Sequence, residues 1–217
     1  MPVNLLDPAT TIFFLCDIQT KFRSAIYGYD QVVATANKLI KVAKVLNIEV
    51  LGTTQNARAL GEIDPAINTE SLGPLYIGPY DKTLFSMFTA DVKAALAARP
   101  HVTSIVLFGI ESQVCVLQTA LDLIASEKYT VHIVADGVSS CNAFEIPIAL
   151  DRMRTEGAII GTSESIAFQL MKDAAYPNFK AFSKIIKEEI ASTKAVGQVL
   201  PVGYMPNNLP AVPRSAL

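Results

Sequence analysis

Short runs of consecutive apolar residues recur along the chain, and most are followed by a segment whose apolar positions lie three or four residues apart. The first run, at residues 11–15, reads Thr-Ile-Phe-Phe-Leu. A run of this kind is typical of a strand that is buried on both faces of a sheet. The pattern predicts strands at residues 11–15, 49–54, 104–108, 130–135 and 158–160.

The segments between these runs have helical spacing. In the first of them, Val32, Ala36 and Leu39 form an apolar stripe, with Lys38 and Lys41 on the outer face. Strands that alternate with helices favour right-handed crossovers and a parallel sheet. We therefore expect a three-layer α/β/α, Rossmann-like fold with a mostly parallel central sheet. The expected helices cover residues 31–46, 91–98, 112–126, 144–155, 164–172 and 179–191.

Two segments lack such a pattern. Residues 56–80 are rich in glycine and proline and are predicted to form a long loop, a feature that is often functional in compact domains. Beyond residue 191 the helical spacing stops and four prolines follow. We therefore expect one domain over residues 1–191 and an irregular, proline-rich tail over residues 192–217.

Composition and charge narrow the class of protein. Hydrophobic residues make up 51% of the 217 residues and the mean hydropathy is +0.35. No apolar run reaches the roughly 18 residues of a membrane span, so we expect this excess to lie in a covered sheet or a subunit interface. The 18 Lys and Arg residues are balanced by 20 Asp and Glu residues, which argues against a nucleic-acid partner.

Cysteine usage and the chain ends bear on location. The chain has three cysteines, without a CxxC pair, which predicts free thiols in a reducing compartment. The N-terminal residues lack the pattern of a secretory signal, so the cytoplasm is the expected location. The last three residues loosely resemble the Ser-Lys-Leu peroxisomal signal. Ala216 replaces its basic residue, which makes import the less favoured alternative.

Reactive side chains follow three of the predicted strands, at the sheet edge where ligands bind in parallel α/β folds. Asp17 follows the first strand, Gln55 follows the second, and Cys115 lies in the first turn of the helix after the third. A helix N-terminus stabilises negative charge and would favour a Cys115 thiolate. On position alone, Cys115 can equally be a small buried apolar residue and Asp17 a capping residue. Cys16 should point to the opposite face of the sheet and belong to the core.

Three segments together resemble the isochorismatase-like cysteine hydrolases, and in particular the eukaryotic isochorismatase-domain-containing proteins. They are Leu-Cys-Asp-Ile-Gln at 15–19, Lys-Thr-Leu-Phe-Ser-Met-Phe at 82–88 and Gly-Ile-Glu-Ser-Gln-Val-Cys-Val at 109–116. Their order and spacing match those of this family, and the likeness extends over roughly residues 8–190. Without this resemblance, Lys82 would be interpreted as a solvated surface lysine.

The resemblance implies a catalytic triad of Asp17, Lys82 and Cys115. Cys115 would be the nucleophile, Lys82 would stabilise its thiolate, and Asp17 would act as general base and then as general acid. The implied reaction is hydrolysis of an amide or related C–N bond of a small molecule through an acyl-enzyme. Backbone N–H groups around Val114 and Cys115 would bind the oxyanion.

Further pocket residues are implied around this triad. The family often has a non-proline cis peptide before the helix, and the corresponding bond here joins Ile110 and Glu111. Side chains that can line the pocket are Gln19, Gln55, Phe22 and Phe85. Surface positions for the glutamines and plain core positions for the aromatics remain open alternatives.

The chain also departs from one branch of the superfamily. Nicotinamidases bind a metal through an acidic residue and histidines after the second strand, where this chain has Thr-Thr-Gln-Asn at 53–56. Its two histidines, His101 and His132, lie away from that sheet edge. We therefore expect no metal, no other cofactor and a substrate other than nicotinamide. A scaffold protein that retains the hydrolase fold is the alternative function, and a homo-oligomer is expected in either case.

Overall fold

The computed structural model describes residues 5–200, which form a single six-stranded sheet flanked by helices. All strand pairs are parallel, and the spatial order of the strands is β3-β2-β1-β4-β5-β6. The predicted three-layer fold with a parallel sheet is confirmed. The strands are β1 (Thr11–Cys16), β2 (Val50–Gln55), β3 (Tyr76–Lys82), β4 (Ser104–Ile110), β5 (Thr130–Ser139) and β6 (Ile159–Gly161).

Helices cover the sheet because its central strands are apolar on both faces. Every residue of β1 and β4 is buried, as expected of parallel strands between two helical layers. The helices are α1 (Tyr29–Leu46), α2 (Ala57–Leu60), α3 (Ala90–Ala97), α4 (Leu117–Ala125), α5 (Glu145–Thr155), α6 (Ser163–Met171), α7 (Phe179–Glu188) and α8 (Ile190–Val199). Helix α1 packs against α6, α7 and α8, while α4 packs against α5.

Strand β3 begins within the segment predicted to be a loop, residues 56–80, and ends two residues beyond it. It pairs with β2 at the edge of the sheet, and of its seven residues three are exposed, three are partly buried and only Lys82 is buried. Because an edge strand needs no continuous apolar run, and because this one contains Gly78 and Pro79, the hydrophobic pattern did not reveal it. As a result, Lys82 is the last residue of a strand.

The chain remains helical beyond the predicted end of the domain. The helix expected at 179–191 is two helices, and the second, α8, continues to Val199. Val196 and Leu200 are buried against the main core, so the irregular tail predicted from residue 192 is wrong for residues 192–199. Residues 201–217, including the C-terminal tripeptide, lie outside the described residues.

Helix α8 also changes the environment of Lys38. This lysine was predicted to lie on the outer face of α1, but it is only 3% exposed. Its ammonium donates to Thr193 Oγ1 at 3.0 Å and to Glu164 Oε2 at 3.4 Å. Lys38 is therefore covered by helices that were not expected to pack there.

Candidate active site

The site lies at the carboxyl edge of the sheet, where β1 is flanked by β2 on one side and β4 on the other. Chain connections leave in opposite directions at such a point, which opens a crevice for ligands. Asp17 directly follows β1, Lys82 ends β3, and Cys115 comes five residues after the end of β4. Three strands thus deliver the three predicted catalytic residues to one edge.

Gly109 brings the ends of β1 and β4 together. Its φ is +126°, and a Cβ at this position would lie 2.1 Å from the carbonyl oxygen of Cys16. Only glycine tolerates both this conformation and this approach. The turn that carries Cys115 therefore starts directly beside the strand that carries Asp17.

Asp17 and Lys82 form a buried ion pair. Lys82 Nζ lies 2.7 Å from Asp17 Oδ2, and each side chain is 1% exposed. Burial alone would lower the pKa of Lys82, but the neighbouring acidic groups of Cys16, Asp17 and Cys115 outweigh it and raise the pKa. Lys82 is therefore a charged ammonium at neutral pH.

The Lys82 ammonium has more acceptors than protons. Besides Asp17, it donates to Gln55 Oε1 at 2.8 Å and to the carbonyl oxygens of Phe85 at 2.9 Å and Leu84 at 3.2 Å. An ammonium group has three N–H donors, so four acceptors occupy all of them. Lys82 acts on its surroundings through its charge and has no N–H left for a further partner.

Asp17 accepts two further hydrogen bonds, one on each oxygen. Thr53 Oγ1 donates to Oδ1 at 2.8 Å, and Cys16 Sγ lies 3.6 Å from Oδ2. Asp17 has a φ of +50°, which breaks the alternation of the strand at this residue. The prediction that Cys16 points away from the site is therefore wrong, although the residue is fully buried as expected.

Cys115 is 6% exposed and lies in a single π-helical turn, Ser112–Val116, that leads into α4. Turns of this type are rare and are frequent at functional sites. The N-cap of this turn is Glu111. Burial raises the pKa of the Cys16 thiol well above its usual value, and the adjacent Cys115 thiol raises it further. In the part of the chain described, no hydrogen bond joins the Cys115 sulfur to Asp17 or Lys82.

Similarity to known proteins shows the family of this chain. The family profile for the isochorismatase domain matches residues 11–165. The chain belongs to the isochorismatase family. It is 40% identical over 190 residues to isochorismatase domain-containing protein 2 of Bos taurus. The matched segment covers 88% of this chain and 89% of that protein. The predicted resemblance is confirmed, and membership supports a hydrolase-like role.

Two solved structures share the family fold. MAR1 ribonuclease from Caenorhabditis elegans superposes with a TM-score of 0.80 at 30% identity, over 95% of this chain and 100% of that one. The YcaC protein of Escherichia coli, described as an octameric hydrolase of unknown specificity, superposes with a TM-score of 0.76 at 22% identity. That comparison covers 91% of this chain and 97% of YcaC, and it bears on the fold alone.

Glu111 anchors the chain just before Cys115. The peptide bond between Ile110 and Glu111 is cis, as the resemblance implied, and Ile110 is fully buried. The Glu111 carboxylate accepts from the backbone N–H of Cys141 at 2.8 Å and from Gln113 and Ser140 at longer range. Burial opposes ionisation of Glu111, but these hydrogen bonds outweigh it and lower its pKa.

The other predicted pocket residues divide into those that contact the ion pair and those that do not. Gln55 contacts it through its side chain, and Phe85 does so only through its carbonyl, since its ring is half-exposed. Gln19 is fully buried and its side-chain amide hydrogen-bonds the backbone of Gln55 and Gly61, so it shapes the turn after β2. Phe22 packs against the core.

One of the two predicted oxyanion donors is already in use. The Val114 N–H donates to the Glu111 carbonyl oxygen at 3.1 Å.

Sequence reasoning missed Thr53 and Cys16 as site residues. Thr53 and Gln55 are two residues apart in β2 and therefore share one face of the sheet. Since Gln55 was already a candidate, this period of two was the signal that identifies Thr53. For Cys16 there was no such signal, because the left-handed conformation of Asp17 is not visible in the pattern.

The histidines lie away from this site. His132 is buried within β5, and His101 is exposed before β4. Within residues 5–200, no group of three or more His, Cys, Asp and Glu side chains is arranged to hold a metal ion. Over the same residues, no helix has the length and apolar character needed to cross a membrane.

Proposed function

We propose that the protein is a metal-independent cysteine hydrolase that cleaves an amide or related C–N bond of a small molecule. The observation that carries this proposal is the buried ion pair between Lys82 and Asp17, 2.7 Å apart, beside the Cys115 thiol. A buried ion pair is costly to desolvate and is weak evidence for stability, so its position beside a nucleophile favours a chemical role.

In the proposed reaction, the Cys115 S–H proton moves to Asp17 and the thiolate attacks the substrate carbonyl carbon. The C–N bond then breaks, and Asp17 returns the proton to the leaving nitrogen. This leaves a thioester on Cys115. Asp17 next takes a proton from water, the hydroxide attacks the thioester, and the C–S bond breaks to release the acid and restore the thiol.

We assign Lys82 an electrostatic role in these steps. Because its N–H donors are occupied, it stabilises the Cys115 thiolate through its charge rather than by a hydrogen bond. The same charge pairs with the buried Asp17 carboxylate. For the oxyanion, the Cys115 backbone N–H is the preferred donor, since that of Val114 is in use.

The decisive test is the pH dependence of Cys115 alkylation by iodoacetamide, read by mass spectrometry on the full chain. We expect an apparent pKa below the roughly 8.5 of free cysteine, and a higher value in Lys82→Ala. Asp17→Asn should still be alkylated but should lose hydrolysis. Lys172→Ala, which removes a lysine from an exposed ion pair with Asp7, is the matched control. An ordinary thiol pKa that neither site variant changes would overturn the proposal.

A panel of small amides would then identify the substrate. Single-stranded RNA belongs in this panel, because one structural relative is named a ribonuclease. Turnover of amides that requires Cys115 would support the proposal, whereas turnover of RNA alone would replace it. The scaffold alternative is less favoured, because family membership and a buried ion pair at the carboxyl edge of the sheet both suit a hydrolase.

We further propose that the protein is a homo-oligomer of a reducing compartment such as the cytoplasm. Ile148 and Phe144 are large apolar residues that are 60% and 63% exposed, which suits an interface. A structural relative is described as octameric. All three cysteines are free, as in reducing compartments. Sedimentation of the purified chain and imaging of fluorescent fusions test the two statements separately.

A further inference from the structure

Thr53 contacts the proposed general base from the neighbouring strand. Its hydroxyl donates to Asp17 Oδ1 at 2.8 Å, and the residue is completely buried. The parallel register of β1 and β2 pairs Cys16 with Thr53, so this contact is fixed by the sheet itself.

The two oxygens of Asp17 have separate partners. Thr53 binds Oδ1, whereas Lys82 and Cys16 bind Oδ2. A carboxylate held by one oxygen can rotate about its Cβ–Cγ bond, and a carboxylate held by both cannot. The Thr53 hydroxyl therefore fixes the carboxylate plane with Oδ2 directed at the Lys82 ammonium and the Cys16 thiol.

We infer that Thr53 is a positioning residue, which assigns Oδ2 as the oxygen that exchanges a proton with Cys115 and holds Asp17 in its ionised form. A hydrogen bond donated to a carboxylate stabilises the charged form. In the resting site this keeps the shared proton on the Cys115 sulfur until substrate arrives. The inference rests on the proposed function, because it assumes that Asp17 and Cys115 share a proton.

The next residue along the strand provides a matched control. Thr54 also donates its hydroxyl to a carboxylate, Asp81 Oδ1, at 3.0 Å. Successive side chains of a strand point to opposite faces, so Thr54 does not contact the ion pair. Thr54→Val therefore makes the same chemical change, in the same strand, away from the site.

The experiment follows the Asp17 carboxyl carbon by NMR during a pH titration of the full chain labelled with 13C-aspartate, with Asp17→Asn used to assign the signal. In Thr53→Val we expect the Asp17 midpoint to move to higher pH by about one unit. Thr53→Ser should restore the wild-type midpoint, and Thr54→Val should leave it unchanged.

The alkylation rate of Cys115 provides a second readout, and it should report a change in the thiol opposite to the change in Asp17. When Asp17 keeps the shared proton more strongly, the thiolate fraction rises, because the two groups titrate as a pair. Alkylation of Cys115 near neutral pH should therefore become faster in Thr53→Val, by up to about tenfold. A merely structural role for Thr53 would not produce opposite changes in the two groups.

The inference is overturned when the Asp17 midpoint in a folded Thr53 variant coincides with that of wild type, or when Thr54→Val moves it equally. Thr53→Ala is measured in parallel with Thr53→Val, so that the test is still decisive when only one of the two variants folds. The proposed function fails separately, when wild-type Cys115 has the pKa of a free thiol. In that case the NMR titration still reports whether Thr53 stabilises the carboxylate.

Discussion

Lys82 Nζ lies 2.7 Å from Asp17 Oδ2, and 1% of each side chain is exposed. We expect Lys82→Met to lower the free energy of unfolding by about 3–5 kcal/mol, because it leaves the Asp17 carboxylate buried without its cation. Urea denaturation measures this loss. The double variant Asp17→Asn, Lys82→Met should recover part of it, since no charge then remains unpaired.

A surface ion pair is the reference for this measurement. Arg152 of α5 and Glu156, the residue that directly follows this helix, are 2.8 Å apart, with side chains that are 58% and 40% exposed. Arg152→Met should cost less than about 1 kcal/mol, because solvent screens exposed charges. A loss for Lys82→Met as small as that for Arg152→Met would contradict the buried ion pair.

Gly109→Ala should prevent stable folding, with a loss of about 3 kcal/mol or more in the free energy of unfolding. The new Cβ would meet the Cys16 carbonyl oxygen at 2.1 Å in addition to adopting a positive φ. Gly157→Ala separates the two effects, since Gly157 has a φ of +110° with nothing within 4 Å. It should cost only about 1–2 kcal/mol. If thermal denaturation showed equal losses of stability for Gly109→Ala and Gly157→Ala, the steric argument would be contradicted.

His132 should make the protein less stable as the pH falls from about 6.5 to about 4. Burial lowers the pKa of His132 from 6.5 to about 4, and its Nε2 has no hydrogen-bond partner in the described structure. The unfolded chain therefore takes up a proton over this range while the folded protein does not, and the loss reaches about 3 kcal/mol. Urea denaturation at several pH values should show that His132→Leu removes this component.

The exposed His101 is the control for that series. His101→Gln should retain the full pH dependence of wild type, because the ring of His101 is in solvent. If His101→Gln flattened the pH dependence of stability and His132→Leu left it unchanged, His132 would not be the titrating group.

The three thiols should differ in their rates of alkylation near neutral pH. Cys115 should react first and Cys16 last, because Cys16 is fully buried and its pKa is raised well above that of a free thiol. Cys141 is exposed, but the Glu111 carboxylate raises its pKa. Glu111→Gln should therefore accelerate labelling of Cys141, as read by peptide mass spectrometry. In denaturant all three rates should converge, and fast labelling of Cys16 in the folded chain would contradict the described site.

The elements that the sequence predicted well are those with the strongest patterns. Strands β1 and β4 are continuous apolar runs, and the fold class follows from their alternation with helices. Strand β3 and helix α8 were not predicted, because one lies at a sheet edge and the other contains Ser192, Thr193 and Gly197. Their burial depends on partners that are distant in the chain, and a local pattern does not contain that information.

The site shows the same division between local and long-range information. The resemblance named Asp17, Lys82 and Cys115, and the structure brings the elements that carry them to one edge. The donors around them depend on backbone conformation instead. Cys16 reaches the carboxylate because Asp17 is left-handed, and Lys82 is bound by carbonyls of the turn that follows β3.

The occupied donors of Lys82 also bear on how a molecule is captured from solution. Lys82 and Asp17 together carry no net charge, and both are hidden from solvent. A free lysine at the bottom of a crevice would attract anions over about 8–10 Å at physiological ionic strength, whereas a neutral pair acts only at short range. Electrostatic steering by this pair is therefore weak, and its contribution to the association rate should be nearly independent of salt concentration.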